Sequence, residues 1–348
     1  MTIPSSVTTN ATPGAALSGP PSVRRGDRRG APRLSPRISF LIRRVGRLAV
    51  SLALVIVGTF LIIHLVPGDP VRGALGPSAS PELVARTRTE LGLDLPVIEQ
   101  FFNYIAGLLR GDFGVSLQTH RPVADTLVNR IPATVTLAVA AFIVAALTAL
   151  PIGIATAISA RSGRRRLLNL AASALLGLLI VVPNFLVAVA LISVFSISLG
   201  ILPAAGWGSL ENSILPVIAL AVGPMAYLAR IVHVEMDRVL DATYMTTARS
   251  KRLPGRLIYL RHALPNILTA TLTIGGLLLT GLVAATVLIE TIFAIPGLGT
   301  TIVSAITTKD YPAIQGVVLV YAVMVLGVNL LIDLILVTVD PRSSILEG

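Results

Sequence analysis

Long apolar blocks alternate with short polar or basic connections along most of this chain. Six blocks stand out, near residues 45–66, 132–160, 167–199, 214–232, 267–289 and 313–338. A helix rises 1.5 Å per residue, so about 20 apolar residues cross about 30 Å of hydrocarbon. Each block therefore predicts a membrane-spanning helix, and the second and third are long enough to tilt or to run past the bilayer. Pro151, Pro183, Pro216 and Pro224 lie within or at the ends of these blocks. They are expected to kink their helices, which membrane bundles tolerate because neighbouring groups re-satisfy the freed backbone.

The connections set the orientation. The link after the second block holds Arg161, Arg164, Arg165 and Arg166, and a basic stretch follows the fourth block, whereas the link GILPAAGWGSLENS after the third has no Lys or Arg. The excess of positive charge on cytoplasmic loops then puts the N-terminus, the Arg161–Arg166 link, the loop 233–266 and the C-terminus in the cytoplasm. Residues 1–36, rich in Ser, Thr, Pro, Gly and Ala and ending in arginines, read as a disordered cytoplasmic tail ahead of a transmembrane domain over 37–348. A cleaved signal peptide is disfavoured, because the first apolar block is too long and no A-x-A site follows it. The external segment, about 67–131, holds PELVARTRTELGLDLP and FFNYIAGLLRGDFGVS. In the latter, Phe101, Tyr104, Ile105 and Leu108 share one helix face. This segment reads equally well as a cap on the bundle or as a docking surface for an external partner.

Composition agrees with a membrane protein: 54% of residues are hydrophobic and 13% charged, against about a quarter charged in soluble domains. The formal net charge of +11 sits mostly in cytoplasmic loops and tails, so it points to membrane lipid and not to nucleic acid. With no cysteine, disulfides, thiolate metal sites and cysteine nucleophiles are excluded. The four histidines, His64, His120, His233 and His262, are scattered, with no H-E-x-x-H pair. G-x-S-x-G and the phosphate loop G-x-x-x-x-G-K-[ST] are both missing, and PGLG, with Gly297 and Gly299, lacks the third glycine of a dinucleotide site. A gradient-driven carrier would place several ionisable groups mid-membrane. The blocks hold one clear case, Asp333, which reads first as a packing residue and only second as a proton relay. His64, Arg230 and Glu290 lie near span ends.

The loop 233–266 is longer than the two to eight residues that join bundle helices. Residues 242–253 can form about three helical turns, Pro254 and Gly255 break them, and 256–264 can form a second short helix before Pro265. The result is a protruding basic hairpin. Its apolar residues Tyr244, Met245, Ala248, Leu253, Ile258 and Leu260 are expected to fit a groove on another protein. A headgroup anchor would explain its charge but not its two-helix layout.

This stretch resembles the cytoplasmic coupling motif of bacterial ABC importer permeases, EAA-x3-G-x9-I-x-LP, with Ala248 at the second alanine and Leu264–Pro265 at the closing LP. It is closer still to the dipeptide and oligopeptide subgroup, with its DYVxTARAKGL and RHALxN, through Tyr244, Thr247, Ala248, Arg249, Lys251, Leu253, Arg261, His262, Ala263, Leu264 and Asn266. Thr243 replaces the usual Asp and Arg252 the usual Gly, and Gly255 is expected to take over the turn. LVPGDP, LGLDLP, LRGDFGVS, RPVADTLVNRIPATVTL, ETIFAIPGLG, KDYPAIQG and VNLLIDLI…DPR resemble other segments of the subgroup, in order, along nearly the whole chain beyond the tail.

The resemblance implies an all-α, six-helix type I importer permease in a bacterial cytoplasmic membrane. It would be a transport subunit with no ATPase site of its own, forming half of a translocation pathway for dipeptides or oligopeptides. The implied partners are a homologous second permease, two P-loop ATPase subunits that bind the ATP and Mg, and an extracytoplasmic substrate-binding protein. Tyr244, Thr247, Ala248, Arg249, Lys251, Arg252, Leu253, Arg261 and His262 would meet the ATPase. Glutathione, nickel or haem are alternative cargoes of the same family, and a secondary carrier is the alternative in kind.

Overall fold

The computed structural model describes residues 36–65, 69–162, 166–250 and 254–339. Residues 1–35, where the disordered tail was expected, lie outside the described residues. The described residues form helices and connections, without a strand. In chain order the helices are α1 (Pro36–Leu65), α2 (Pro70–Leu75), α3 (Pro81–Glu90), α4 (Val97–Leu109), α5 (Val123–Ser162), α6 (Arg166–Val181), α7 (Asn184–Leu191), α8 (Leu210–Leu240), α9 (Thr243–Ser250), α10 (Gly255–Leu257), α11 (Leu264–Ile292), α12 (Leu298–Thr307) and α13 (Tyr311–Val339). A π-helical segment, Ile192–Ser198, extends α7, and a π-helical turn, Ile258–Ala263, joins α10 to α11.

Five of these helices are long and apolar enough to cross a membrane, and α6 with α7 and its extension makes a sixth if the bent pair is one span. The third apolar block is therefore not one tilted helix. Its two halves meet at 103°, because Pro183 donates no hydrogen bond and keeps Val182 out of helical geometry. Pro132 and Pro151 in α5 and Pro216 and Pro224 in α8 lie inside continuous helices. α5 starts at Val123, so the last turns of the expected external segment belong to a 40-residue helix.

The centre of the bundle is the pair α5 and α8. On α5, Ala133, Leu137, Ala141, Ala145, Ala149 and Ala157 are buried at four-residue spacing, with Gly153 in the same register. Such a stripe of small residues lets two backbones approach closely, which is how helices associate where lipid competes for every apolar side chain. At Gly153 a β-carbon would lie 2.6 Å from the Ala229 carbonyl oxygen and from Val232. The contacts Gly153–Ala229, Thr156–His233 and Arg161–Asp237 advance together along both chains. The two helices thus run parallel, in register, both from the outer end to the cytoplasmic end.

α11 and α13 run antiparallel to each other. Thr280 donates to Asn329 Oδ1 at 2.6 Å, and the hydroxyls of Thr286 and Tyr321 lie 3.3 Å apart. α1 packs on α13, where Gln315 Nε2 donates to the Thr59 carbonyl at 3.0 Å. Arg44 and Asp333 form an ion pair between these two helices. Arg44 lies near the start of its span and Asp333 near the end of its own, so Asp333 sits at the cytoplasmic edge beside a counter-charge. That supports the packing reading of this residue and removes the mid-membrane relay.

Candidate functional site

At the cytoplasmic end, α8 continues to Leu240 and absorbs the first eight residues of the expected loop. The hairpin that remains is compact. α9 covers Thr243–Ser250, the rest of the expected first helix to 253 lies outside the described residues, and Pro254 precedes α10. The second helix does not stop at Pro265: it runs through the π turn into α11. Pro265 has no N–H to give, and the turn before it widens, with Leu264 donating to the Tyr259 carbonyl five residues back. Gly255 is not a turn residue either. It opens α10 and is absent from the glycines with positive φ.

Met245 and Ile258 were expected on a surface offered to another protein. Both are buried instead, in a cluster with Ala157 of α5, Val232, Met236 and Leu240 of α8, and Ile267 of α11. They fasten the hairpin to three spanning helices at once. Tyr244, Leu257, Leu260 and Arg261 remain exposed, and His262 is half-buried. α9 packs against the π turn, so the element carrying Tyr244 stands beside the one carrying Arg261 and His262. The side chains of Thr247, Ala248 and Arg249, and all of Lys251, Arg252 and Leu253, lie outside the described residues.

Polar contacts brace the same end. Arg161, near the end of α5, donates from Nε to Asp237 Oδ1 at 3.0 Å and from Nη2 to the Asp237 carbonyl at 2.7 Å, and pairs with Asp241 at 2.8 Å. His233 Nδ1 lies 3.0 Å from the Thr156 hydroxyl. A movement of the hairpin is therefore passed to α5 and α8 as a pair.

The outer end holds a lock that the sequence reading did not find. Glu290, fully buried near the end of α11, accepts from the Thr134 hydroxyl at 2.7 Å on Oε1, and from the N–H groups of Gly299 at 2.6 Å and Thr300 at 3.3 Å on Oε2. The Thr134 oxygen in turn accepts from the Leu298 N–H at 2.9 Å. One carboxyl group and one hydroxyl thus satisfy the first three amides of α12, a place where a helix favours negative charge. PGLG is glycine-rich for this reason. A β-carbon on Gly297 would fall on the Glu290 carboxyl, and one on Gly299 would lie 2.5 Å from the Val287 Cα.

Asp310 does similar work beside it. It accepts from the Ser116 hydroxyl at 2.5 Å and the Leu117 N–H at 3.2 Å, tying the external segment to the start of α13. Thr59 and Tyr104 share a hydrogen bond of 3.1 Å, and Phe60 meets Phe101 edge-on with ring centres 5.1 Å apart. The predicted apolar face of α4 therefore packs on α1. Of the two readings of the external segment, the cap is built; Ile98, Phe102 and Leu109 stay exposed on its outer side. Among the described residues no group of His, Asp and Glu could hold a metal ion.

Residues 149–345 match the family described as "Binding-protein-dependent transport system inner membrane component", and residues 37–138 match the N-terminal family of such membrane components. The chain belongs to this family. A chain of Brucella suis biovar 1 (strain 1330), provisionally named as a peptide transport system permease, is 35% identical over 312 residues, covering 87% of this chain and 98% of that one. The glutathione transport system permease GsiC of Escherichia coli (strain K12) is 33% identical over 305 residues, with the same shares covered. Among solved structures, a chain of the inward-facing MetNI methionine ABC transporter superposes with a TM-score of 0.52 at 18% identity, covering 62% of this chain and 96% of that one. That likeness carries the fold alone.

The protein is thus a multi-pass membrane permease subunit of an ABC importer, a kind of assembly that includes ATPase and substrate-binding components. Within the permease, the sequence located the hairpin but not its anchors, and showed Glu290 and PGLG separately without the contact between them. Two signals were available. The four-residue repeat of small residues in α5 marks the close pair, and an acid six residues before PGLG marks the helix cap.

Proposed function

We propose that this permease carries dipeptides or oligopeptides across a bacterial cytoplasmic membrane, pairing with a homologous permease above two P-loop ATPase subunits. An extracytoplasmic binding protein delivers the cargo. ATP and Mg are bound by the ATPase subunits, and this chain, which has no G-x-x-x-x-G-K-[ST], contributes no nucleotide site. The observation that carries the coupling role is the anchored hairpin. Met245 and Ile258 seat it in the bundle, while Tyr244, Leu257, Leu260 and Arg261 face outward beneath it. A rigid ledge of this kind can turn closure of the ATPases into rotation of α5 and α8, and so into alternating access.

Peptide cargo is favoured by the B. suis relative, which matches 98% of its own length. The E. coli relative, a glutathione permease, supports a second reading of similar chemistry, since glutathione is itself a small peptide. The test is uptake of labelled dipeptides, oligopeptides and glutathione by the reconstituted complex. Uptake should require ATP, and Tyr244→Asp and Leu260→Asp should insert normally yet hydrolyse ATP without transport. Normal transport by both variants would move the ATPase contact elsewhere, and uptake driven by a proton gradient without ATP would end the importer reading.

A further inference from the structure

The outer end of α5 carries a charge that neither the coupling role nor the lock uses. Arg130 is half-buried two turns into the helix and lines three adjoining cavities. The largest run of wall belongs to a cavity of about 470 Å³ between α5, α12 and the start of α13, where Thr126, Thr300, Thr301 and Ser304 face it. A second opens past Arg121, Asp125 and Asn129, and a third reaches Pro132, Trp207 and Pro296. That volume lies within the range of about 300–1,000 Å³ that small-ligand sites occupy.

Arg130 makes no ion pair or side-chain hydrogen bond with any described residue. The two carboxylates on these walls are not its partners. Asp310 is buried and already accepts from Ser116, Leu117 and Ala313. Asp125 is exposed and five residues earlier on the same helix, which places it about 140° around the axis. A guanidinium is always charged, and its fork of N–H donors matches a carboxylate in two parallel hydrogen bonds. Holding such a group half-buried at the edge of a membrane bundle, with no counter-charge, costs free energy that a bound anion returns. The threonine and serine hydroxyls around it offer neutral partners for amide groups.

We infer that Arg130 receives a carboxylate of the transported peptide at the external mouth of the pathway, when the binding protein releases it. This rests on the peptide reading above. The carboxylate is either the C-terminus or an acidic side chain, and the probes separate the two.

The complex in liposomes is supplied with binding protein saturated with labelled trialanine, with trialanine amide, or with an amidated peptide containing one glutamate. Arg130→Gln should cut trialanine uptake about tenfold, the loss of one bidentate pair, and Arg130→Lys should fall between. Trialanine amide should enter wild type slowly and the Gln variant equally slowly. Restored uptake of the glutamate peptide in wild type, lost in Arg130→Gln, would assign the site to any carboxylate; slow uptake in both would assign it to the C-terminus. Stimulation of ATP hydrolysis by the binding protein should survive in both variants. Equal loss of trialanine and amide uptake, or loss of that stimulation, would overturn the inference and make Arg130 a docking or structural residue. Failure of wild type to take up trialanine while it takes up another cargo would instead sink the peptide reading, and this ligand with it.

Discussion

Replacing Glu290 with glutamine changes one atom of the outer lock and keeps its shape. In the parent both carboxyl oxygens accept: Oε1 from Thr134, Oε2 from Gly299 and Thr300. Glutamine presents one acceptor and one NH2 donor. Whichever way it turns, either the Thr134 hydroxyl or the Gly299 and Thr300 amides face a donor. A buried donor left without a partner costs about 1–3 kcal/mol. Loss of negative charge at the start of α12 adds about 0.3–1 kcal/mol, and up to about 2 in buried geometry. The expected destabilisation is therefore about 1–5 kcal/mol.

Trp207 makes this measurable, because it is the single tryptophan of the chain and packs in the cluster containing Phe293 and Ile295. The adjacent Gly206 N–H donates to the Phe293 carbonyl at 2.8 Å. Thermal unfolding of the purified chain in mild detergent, followed by tryptophan emission, should show a midpoint lower by about 2–7 °C for Glu290→Gln. The emission of the folded variant should shift to the red as water reaches the loosened turn. Thr134→Val should lower the midpoint by a smaller amount, because it deletes one link of the same relay. An unchanged midpoint and spectrum for Glu290→Gln would refute the reasoning, and the carboxyl would then be a bystander to the fold of PGLG.

Gly153→Ala puts a methyl group 2.6 Å from the Ala229 carbonyl oxygen, and should cost about 1–3 kcal/mol by overpacking, read as a lower midpoint with weakened assembly. Met245→Ala empties a fully buried site under the hairpin and should cost about 2–5 kcal/mol locally. Protease cleavage within the hairpin should rise, and uptake per ATP hydrolysed should fall. Burial works against the charge of Asp69, but the N–H groups of Arg72 and Val71 and the Arg88 guanidinium outweigh it and hold its carboxyl below the usual 3.8. A depressed value means that this contact stabilises the folded state above the ordinary carboxylate range and is lost as pH falls through the folded value. Amide protection in α2 and α3, taken relative to the intrinsic exchange rate at each pH, should thus be steady from neutral pH to about pH 5 and fall below about pH 4, and Asp69→Asn should abolish that step.

The spans were legible because lipid selects for an unbroken apolar run, and such a run survives as sequence whatever it packs against. The hairpin was legible for a related reason, since a basic, helix-forming insert between apolar blocks has few other uses. What could not be read was which residues of each element face inward. Met245 and Leu260 are both apolar and both lie in the hairpin, yet one is buried and the other exposed, and the difference is set by where α5 and α8 end. The 103° break at Pro183 and the uninterrupted passage through Pro132, Pro151, Pro216 and Pro224 show the same limit. A proline removes one donor and crowds one carbonyl wherever it stands; whether the helix ends there depends on neighbours that a single sequence does not name.

The ionisable residues make the point most sharply. Asp333 and Glu290 both look anomalous beside apolar neighbours, and both would serve a carrier reading if left unpartnered. The fold gives each a partner from far along the chain, Arg44 for one and Thr134 with α12 for the other. Arg130 is the converse case. In sequence it is one arginine in the polar approach to the second apolar block, beside five other basic residues of the external segment. In the fold it is a cation on a cavity wall that forms no ion pair with a described residue. Pairing is a property of the folded chain alone.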